Sequence, residues 1–299
     1  MVDILIVGGG TAGLTAAIYA ARAGKSVLVL EGAAFGGQIV DSPLVENYPG
    51  IPAISGLDYA EALADQARGL GCELRLGRAK GVVQTGEGFT VTAGRKEHQG
   101  RSLILATGAR HRRLGVEGEE ALEGRGVSYC AVCDGAFFKG KRVAVVGGGD
   151  SALQAALFLA NVAGHVTLIH RRDSFRGQQA YVDALGGRDN VAFALGAQVT
   201  ALHGTDKLTA VTLAQAGTQR ELEVEGLFVA VGQQPENDVF AHLARVDEGG
   251  YFQSGEDCLT ATPGVFVAGD CRSKGLRQLT TAAADGSVAA IAACRWLDE

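Results

Sequence analysis

A glycine-rich hexad, Gly8-Gly9-Gly10-Thr11-Ala12-Gly13, returns 139 residues downstream as Gly147-Gly148-Gly149-Asp150-Ser151-Ala152. Each copy follows a short apolar run and precedes an Ala- and Leu-rich segment, a glycine and a second apolar run. The pattern predicts two βαβ units. The first has strand Ile4 to Val7, helix Leu14 to Ala23, Gly24 at the helix end, and strand Ser26 to Leu30. The second has strand Val143 to Val146, helix Ala152 to Ala163, Gly164, and strand Val166 to Ile169. From the first glycine to the residue closing the second strand is 23 positions in both, Gly8 to Glu31 and Gly147 to His170. With 299 residues, 47% of them apolar, the chain can bury two such cores. Its 44 glycines against 5 prolines suit a fold with many strand-to-helix corners.

In G-x-G-x-x-G the first glycine makes the turn and the second lets backbone N–H groups reach a pyrophosphate. The third seats the helix on the strand. The expected fold class is therefore α/β, with two Rossmann-like domains that bind FAD or NAD(P). Glu31 closes the first unit, and a carboxylate there accepts ribose hydroxyls and repels a 2′-phosphate, which suits FAD or NAD. The second unit closes with His170-Arg171-Arg172-Asp173-Ser174-Phe175-Arg176. Three guanidiniums stand where a 2′-phosphate would lie, which points to NADPH; a solvated basic loop is the plainer alternative. Later apolar runs end in glycine, as in Ala106-Thr107-Gly108, Val231-Gly232 and Ala268-Gly269-Asp270, and a helix is expected from Thr281 to Trp296. That tail has no fingerprint of its own and is read as returning to the first domain, with the second domain inserted. The boundaries expected are 1–112 with 238–299, and 113–237.

Between the two fingerprints stands Cys130-Ala131-Val132-Cys133-Asp134. Zinc would require a second ligand pair, and the six histidines are scattered. Buried structural thiols are the other plain reading, but Ser128-Tyr129 before the pair and Gly135 after it do not look like a core strand. The pair is read as a redox dithiol. Asp134 is a candidate proton carrier beside a sulfur that must alternate between thiolate and thiol, or else a turn cap. Cys72, Cys258, Cys271 and Cys294 lack partners at useful spacing and are read as packing residues. The formal charge of −6 argues against a nucleic-acid binder. No apolar run reaches the ~18 to 20 residues of a membrane span. No export signal precedes the first strand, so a reducing compartment, the cytoplasm, is expected.

These motifs, with Gly36-Gly37-Gln38, Glu46-Asn47-Tyr48-Pro49-Gly50 and Arg277-Gln278, give a chain that resembles the low-molecular-weight, bacterial-type thioredoxin reductases over nearly its whole length. The resemblance implies a homodimer using FAD and NADPH and passing electrons through Cys130 and Cys133 to thioredoxin. It implies no metal and no nucleic acid. FAD would be held by Gly8, Gly10, Thr11, Ala12, Gly13, Glu31, Gly37, Gln38, Asn47, Thr107, Gly108, Gly269, Asp270, Arg277 and Gln278. NADPH would be held by Gly147, Gly149, Asp150, Ser151, Ala152, His170, Arg171, Arg172 and Arg176. Cys133 would sit closer to the flavin than Cys130, and the NADPH domain would turn about hinges near 111–114 and 232–237. Two departures stand out: Ala136 where many members carry an aromatic, before Phe137-Phe138, and the uncharged Gly177-Gln178-Gln179. The competing enzyme reading is a flavin-dependent oxidase of small dithiols with oxygen as acceptor. Such enzymes tend to lack the arginine cluster and to carry an aromatic inside the Cys-x-x-Cys. A peroxide-system flavoprotein and a non-catalytic cofactor-binding regulator are the remaining alternatives.

Overall fold

The computed structural model describes residues 1–299. In chain order its first elements are Val2–Val7 (β1), Thr11–Arg22 (α1), Val27–Glu31 (β2), Gly56–Gly69 (α2), Glu73–Leu76 (β3), Ala79–Thr85 (β4), Gly88–Ala93 (β5), Lys96–Leu105 (β6) and Ala109–His111 (β7). Then come Val127–Ser128 (β8), Ala131–Asp134 (α3), Arg142–Val146 (β9), Asp150–Ala160 (α4), His165–His170 (β10) and Gln179–Gly186 (α5). Val191–Leu195 (β11), Ala197–His203 (β12), Ala210–Gln215 (β13), Thr218–Glu223 (β14) and Gly226–Val229 (β15) follow. Gln233–Pro235 (β16), Val265–Val267 (β17) and Leu279–Asp298 (α6) complete the set. The chain divides into two compact units, Met1–Arg110 with Gln234–Glu299, and His111–Gln233.

In the first unit the strand order is β3-β2-β1-β6, all parallel. β6 has three partners, β1, β5 and β17. Its polar first half alternates buried and exposed and pairs antiparallel with β5, which pairs antiparallel with β4. Its second half, Leu103-Ile104-Leu105, is fully buried and pairs parallel with β17. Strands covered on both faces become continuous apolar runs, and half-solvated antiparallel ones alternate; both signatures lie within this one strand. The second unit repeats the plan, with a parallel sheet β11-β10-β9-β15-β8 and an antiparallel meander β12-β13-β14. The sequence repeat is thus a structural repeat, β1, β2 and β3 corresponding to β9, β10 and β11. β7 and β16 pair as a separate two-stranded sheet.

The central parallel strands of each unit are covered on both faces. In the first, Ile4 and Ile6 point to a layer built on Leu14, Ala16 and Ala17 of α1 with Ala289, Ala290 and Ala293 of α6. Leu5 and Val7 point to the other layer, with Phe89, Leu103, Phe252 and Val265. In the second unit Val143 and Val145 pack with Leu153, Leu159 and Phe228, while Ala144 and Val146 face Ile169, Val211 and Leu227.

Both fingerprint helices begin earlier than the apolar periodicity suggests. α1 starts at Thr11 behind an extended Gly10 N-cap, and α4 at Asp150 behind an extended Gly149. The third small residue of each motif is therefore inside the helix: a Cβ on Gly13 would lie 1.9 Å from the Gly8 carbonyl oxygen. The two helix-end glycines differ in cause. Gly24 adopts φ +80°, as a left-handed helix terminator does, whereas Gly164 is required by close approach, its Cβ position falling 2.5 Å from the Gly140 oxygen. α4 itself stops at Ala160.

Candidate active site and cofactor-binding turns

The cysteine pair sits just past β8, an edge strand of the second unit's parallel sheet. Ser128, expected in a polar approach outside any core strand, is instead buried in this strand, at 5% exposure. Its hydroxyl explains why a polar residue is tolerated there. It donates to Asp134 Oδ2 over 2.6 Å and accepts the Cys130 N–H over 3.1 Å. Cys130 is the N-cap of the short helix α3, and Cys130 and Cys133 are joined as a disulfide with Cα atoms 5.3 Å apart. The Cys133 N–H donates to Cys130 Sγ over 3.2 Å, a contact that would favour negative charge on that sulfur. Cys133 is exposed and Cys130 half-buried. Burial pushes the Asp134 carboxyl above the usual carboxylate range, with the Ser128 hydrogen bond opposing it. An acid held in this way can carry a proton for a neighbouring sulfur.

Gly135 lets the turn seat on α4, since a Cβ there would lie 2.8 Å from the Phe158 ring. Of the two aromatics that follow, only Phe137 is on the surface; Phe138 is buried edge-on against Phe228 at 5.2 Å between centroids. The exposed apolar surface beside Cys133 is thus Val132 and Phe137.

In the first unit, Gly8 takes φ +107° and a Cβ there would meet the Ala106 oxygen at 2.1 Å, so the turn is locked against β6. Glu31 takes the N–H of Gly9 on Oε2 (2.7 Å) and that of Ala33 on Oε1 (2.8 Å). The carboxylate therefore braces the turn from the end of β2, as well as standing where a ribose would approach. Gly36 N–H donates to the Gly9 oxygen, which brings Gly37 and Gln38 to Gly10. Gln38 donates to the Ala109 oxygen, and Asn47 Nδ2 to Gln278 Oε1 (3.2 Å). Gly269 lies against Ala12, where a Cβ would come within 2.7 Å of the alanine methyl, so the Gly269–Asp270 turn stands beside the start of α1. Arg277 Nε donates to the Asp270 carbonyl, and its guanidinium lies 4.1 Å over the Tyr251 ring. Thr107 donates to Asn237 Oδ1 (2.7 Å), and Asn237 Nδ2 reaches the carbonyls of Gly250 and Cys271. Asn237 is almost wholly buried, and no motif announces it. Glu31, Gly37, Thr107 and Gly269 thus stand around the turn at the N-terminus of α1, while Gln38, Asn47, Arg277 and Gln278 are tied to neighbours of their own.

These residues fit a dinucleotide. A Cβ at Gly10 would have one neighbour, at 3.6 Å, so backbone N–H groups there are open to close approach. Asp270 Oδ1 is buried with no hydrogen-bond partner in the chain, as expected of an acceptor meant for a ligand hydroxyl.

The second turn is built alike. Gly147 packs against the Ala230 carbonyl, and Gly149 has nothing within 4 Å of its Cβ position. His170 closes the second strand with its ring over Gly148 and stacked on Phe175, 5.6 Å between centroids. Burial, with Arg176, Arg172 and Arg171 adding repulsion, keeps this histidine below its ordinary pKa. The loop folds back onto the glycines: Arg176 and Gly177 N–H groups donate to the Gly148 carbonyl, and Asp150 Oδ1 accepts the Gln178 N–H (2.7 Å). Arg171, Arg172 and Arg176 are exposed and make no ion pair in the chain, while Ser151 and Asp150 lie in the first turn of α4 and Ala152 is buried behind them. The acidic groups of this loop and turn are Asp150, whose Oδ1 accepts the Gln178 N–H, and Asp173, against three arginines. An NADP-type ligand fits this set.

No group of three or more His, Cys, Asp or Glu side chains is arranged to hold a metal, and no helix is long and apolar enough to cross a membrane. Residues 2–286 match the family model described as pyridine nucleotide-disulphide oxidoreductase. A thioredoxin reductase of Listeria innocua is 44% identical over 99% of this chain and 94% of its own length. One from Bacillus subtilis is 41% identical over 99% and 95%. The crystal structure of the Streptococcus pyogenes thioredoxin reductase superposes with a TM-score of 0.95 at 38% identity, covering 100% of this chain and 98% of that one. The chain belongs to the pyridine nucleotide-disulphide oxidoreductase family.

Proposed function

We propose that this chain is an NADPH-dependent flavoprotein that reduces the disulfide of thioredoxin or a thioredoxin-like protein through Cys130 and Cys133. The observation that carries the reading is the pair itself, joined as a disulfide on an exposed turn of a chain with two open dinucleotide turns. The 44% identity to a thioredoxin reductase over almost the whole chain supports the partner. In this reading residues 1–112 and 238–299 hold FAD and 113–237 hold NADPH. The protein is a cytoplasmic homodimer, as the family resemblance implies.

Bound nicotinamide and flavin supply the two-electron chemistry. The chain's own work begins with the reduced pair. One Cys thiolate attacks a sulfur of the partner disulfide, the partner S–S bond breaks, and the leaving sulfur takes a proton. The second Cys, as thiolate, attacks the first in the mixed disulfide. The Cys130–Cys133 bond re-forms and the partner leaves as a dithiol. Asp134, with its raised pKa, holds or passes the proton. Arg171, Arg172 and Arg176 orient the 2′-phosphate, and Glu31 with Gly8 to Gly13 orients the flavin nucleotide.

The reading is tested by anaerobic titration with NADPH, followed through flavin absorbance. About two hydride equivalents per chain should be taken up, one for the flavin and one for the disulfide, with NADH far less effective. A flavin bleached by small dithiols but by neither nucleotide would replace this reading with the oxidase.

A further inference from the structure

Behind the Gly269–Asp270 turn lies a buried charge cluster that the cofactor motifs do not include. Asp285 of α6 accepts four donors: Gly269 N–H at 2.9 Å, Arg272 Nε at 2.8 Å, Arg272 Nη2 at 2.9 Å and Lys274 Nζ at 2.8 Å. The side chains of Asp285, Arg272 and Lys274 are 6%, 4% and 6% exposed. One buried carboxylate thus faces two buried cations. Glu256 also meets Arg272, at 3.2 Å, but it is 93% exposed and solvent-screened. Apart from the screened Glu256, the carboxylate within reach of this excess positive charge is Asp270, whose side chain is 29% exposed but whose Oδ1 is buried. Its Oδ1 lies 3.9 Å from Lys274 Nζ, too far for a hydrogen bond and close enough for a charge to act at low dielectric.

We propose that Lys274 is a positioning residue of the flavin site: anchored on Asp285, it supplies the positive charge that keeps Asp270 an ionised acceptor for a hydroxyl of the bound cofactor. The proposal rests on the reading of this unit as the FAD site. Ionised, Asp270 offers only acceptors and can take a charge-assisted hydrogen bond from a ligand hydroxyl; protonated, it offers a weaker neutral bond. Burial pushes the Asp270 carboxyl up, Lys274 and then Arg277 pull it down, and Asp285 adds to the upward push. Cys271, the adjoining thiol, is fully buried and its own pKa is raised by that burial. Lys274 is the cation that pulls the Asp270 carboxyl down most, ahead of Arg277, whose guanidinium keeps its charge while held by the Asp270 carbonyl and the Tyr251 ring.

The test measures FAD affinity of the purified full chain against pH, by flavin fluorescence, for wild type, Lys274→Met, Lys274→Arg and Asp270→Asn. Methionine keeps the apolar stem and removes the charge. Lys274→Met should weaken FAD binding about tenfold or more at neutral pH, the effect of a lost charged hydrogen bond. It should also move the acid limb of FAD retention to higher pH. Lys274→Arg should restore both. Asp270→Asn should abolish the limb, and adding Lys274→Met to it should change affinity no further. A limb that stays put in Lys274→Met while affinity or melting temperature falls would reduce Lys274 to a packing residue and overturn the proposal. Wild type that binds no FAD at any pH would instead overturn the flavin assignment, and this inference with it.

Discussion

Ser128 links the cysteine pair to Asp134, since one hydroxyl both donates to Asp134 and accepts the backbone N–H of Cys130. A hydrogen bond to an ionised carboxylate stabilises the charged form, by about 1.5–3 kcal/mol. Without it, burial acts on Asp134 unopposed and its pKa moves further up. Ser128→Ala should therefore shift the Asp134-dependent limb of kcat/KM for the disulfide substrate to higher pH. The check is a pH–rate profile from about pH 5 to 9; an unmoved limb would mean that Asp134 carries no proton in the limiting step. Cys130, Cys133 and Asp134 are legible as a group because they are consecutive in the chain. Ser128 stands only two residues before Cys130, yet its role depends on the turn of α3 carrying Asp134 back over it, and no spacing rule announces that.

At the scale of elements, the contact that sets the first site is the crossing of α1 and α6. A Cβ on Gly286 would lie 2.2 Å from the Ala12 carbonyl oxygen, a backbone atom that cannot swing aside. Gly286→Ala gains about 1 kcal/mol of helix propensity but overpacks a buried crossing, which typically costs about 1–3 kcal/mol. It should lower the melting temperature and weaken FAD retention, because the displaced residue opens the phosphate-binding turn. Gly69→Ala makes the same chemical change at the end of α2, where no atom lies within 4 Å of the Cβ position, and should leave the melting temperature unchanged or higher. Equal gains from both would show that helix propensity, and not the crossing, decides the outcome. The order strand, glycine turn, helix, strand is readable because each step is local. The helices start at Thr11 and Asp150, ahead of the apolar periodicity, because the last small residue of each motif, Gly13 or Ala152, lies inside the helix where it packs on the turn.

At the scale of the molecule, each unit has its own two-sided sheet and its own apolar layers. Residues 109–235, which keep the β7–β16 ladder, should therefore fold when expressed alone and unfold cooperatively, checked by far-UV circular dichroism against urea. A non-cooperative melt would mean that the second core depends on the first unit. The sequence by itself determined the α/β class, the two phosphate-binding turns and the cysteine couple. Each is written within some 25 consecutive residues, where periodicity, glycine chemistry and spacing act directly. Tertiary structure alone decided which distant residues meet. Asn47 with Gln278, Thr107 with Asn237, and Asp285 with Arg272 and Lys274 behind Asp270 are brought together by sheet order and by the close approach of α1 and α6. The physical reason is that a buried polar group is tolerated only where its partner lands, and where it lands is settled by packing.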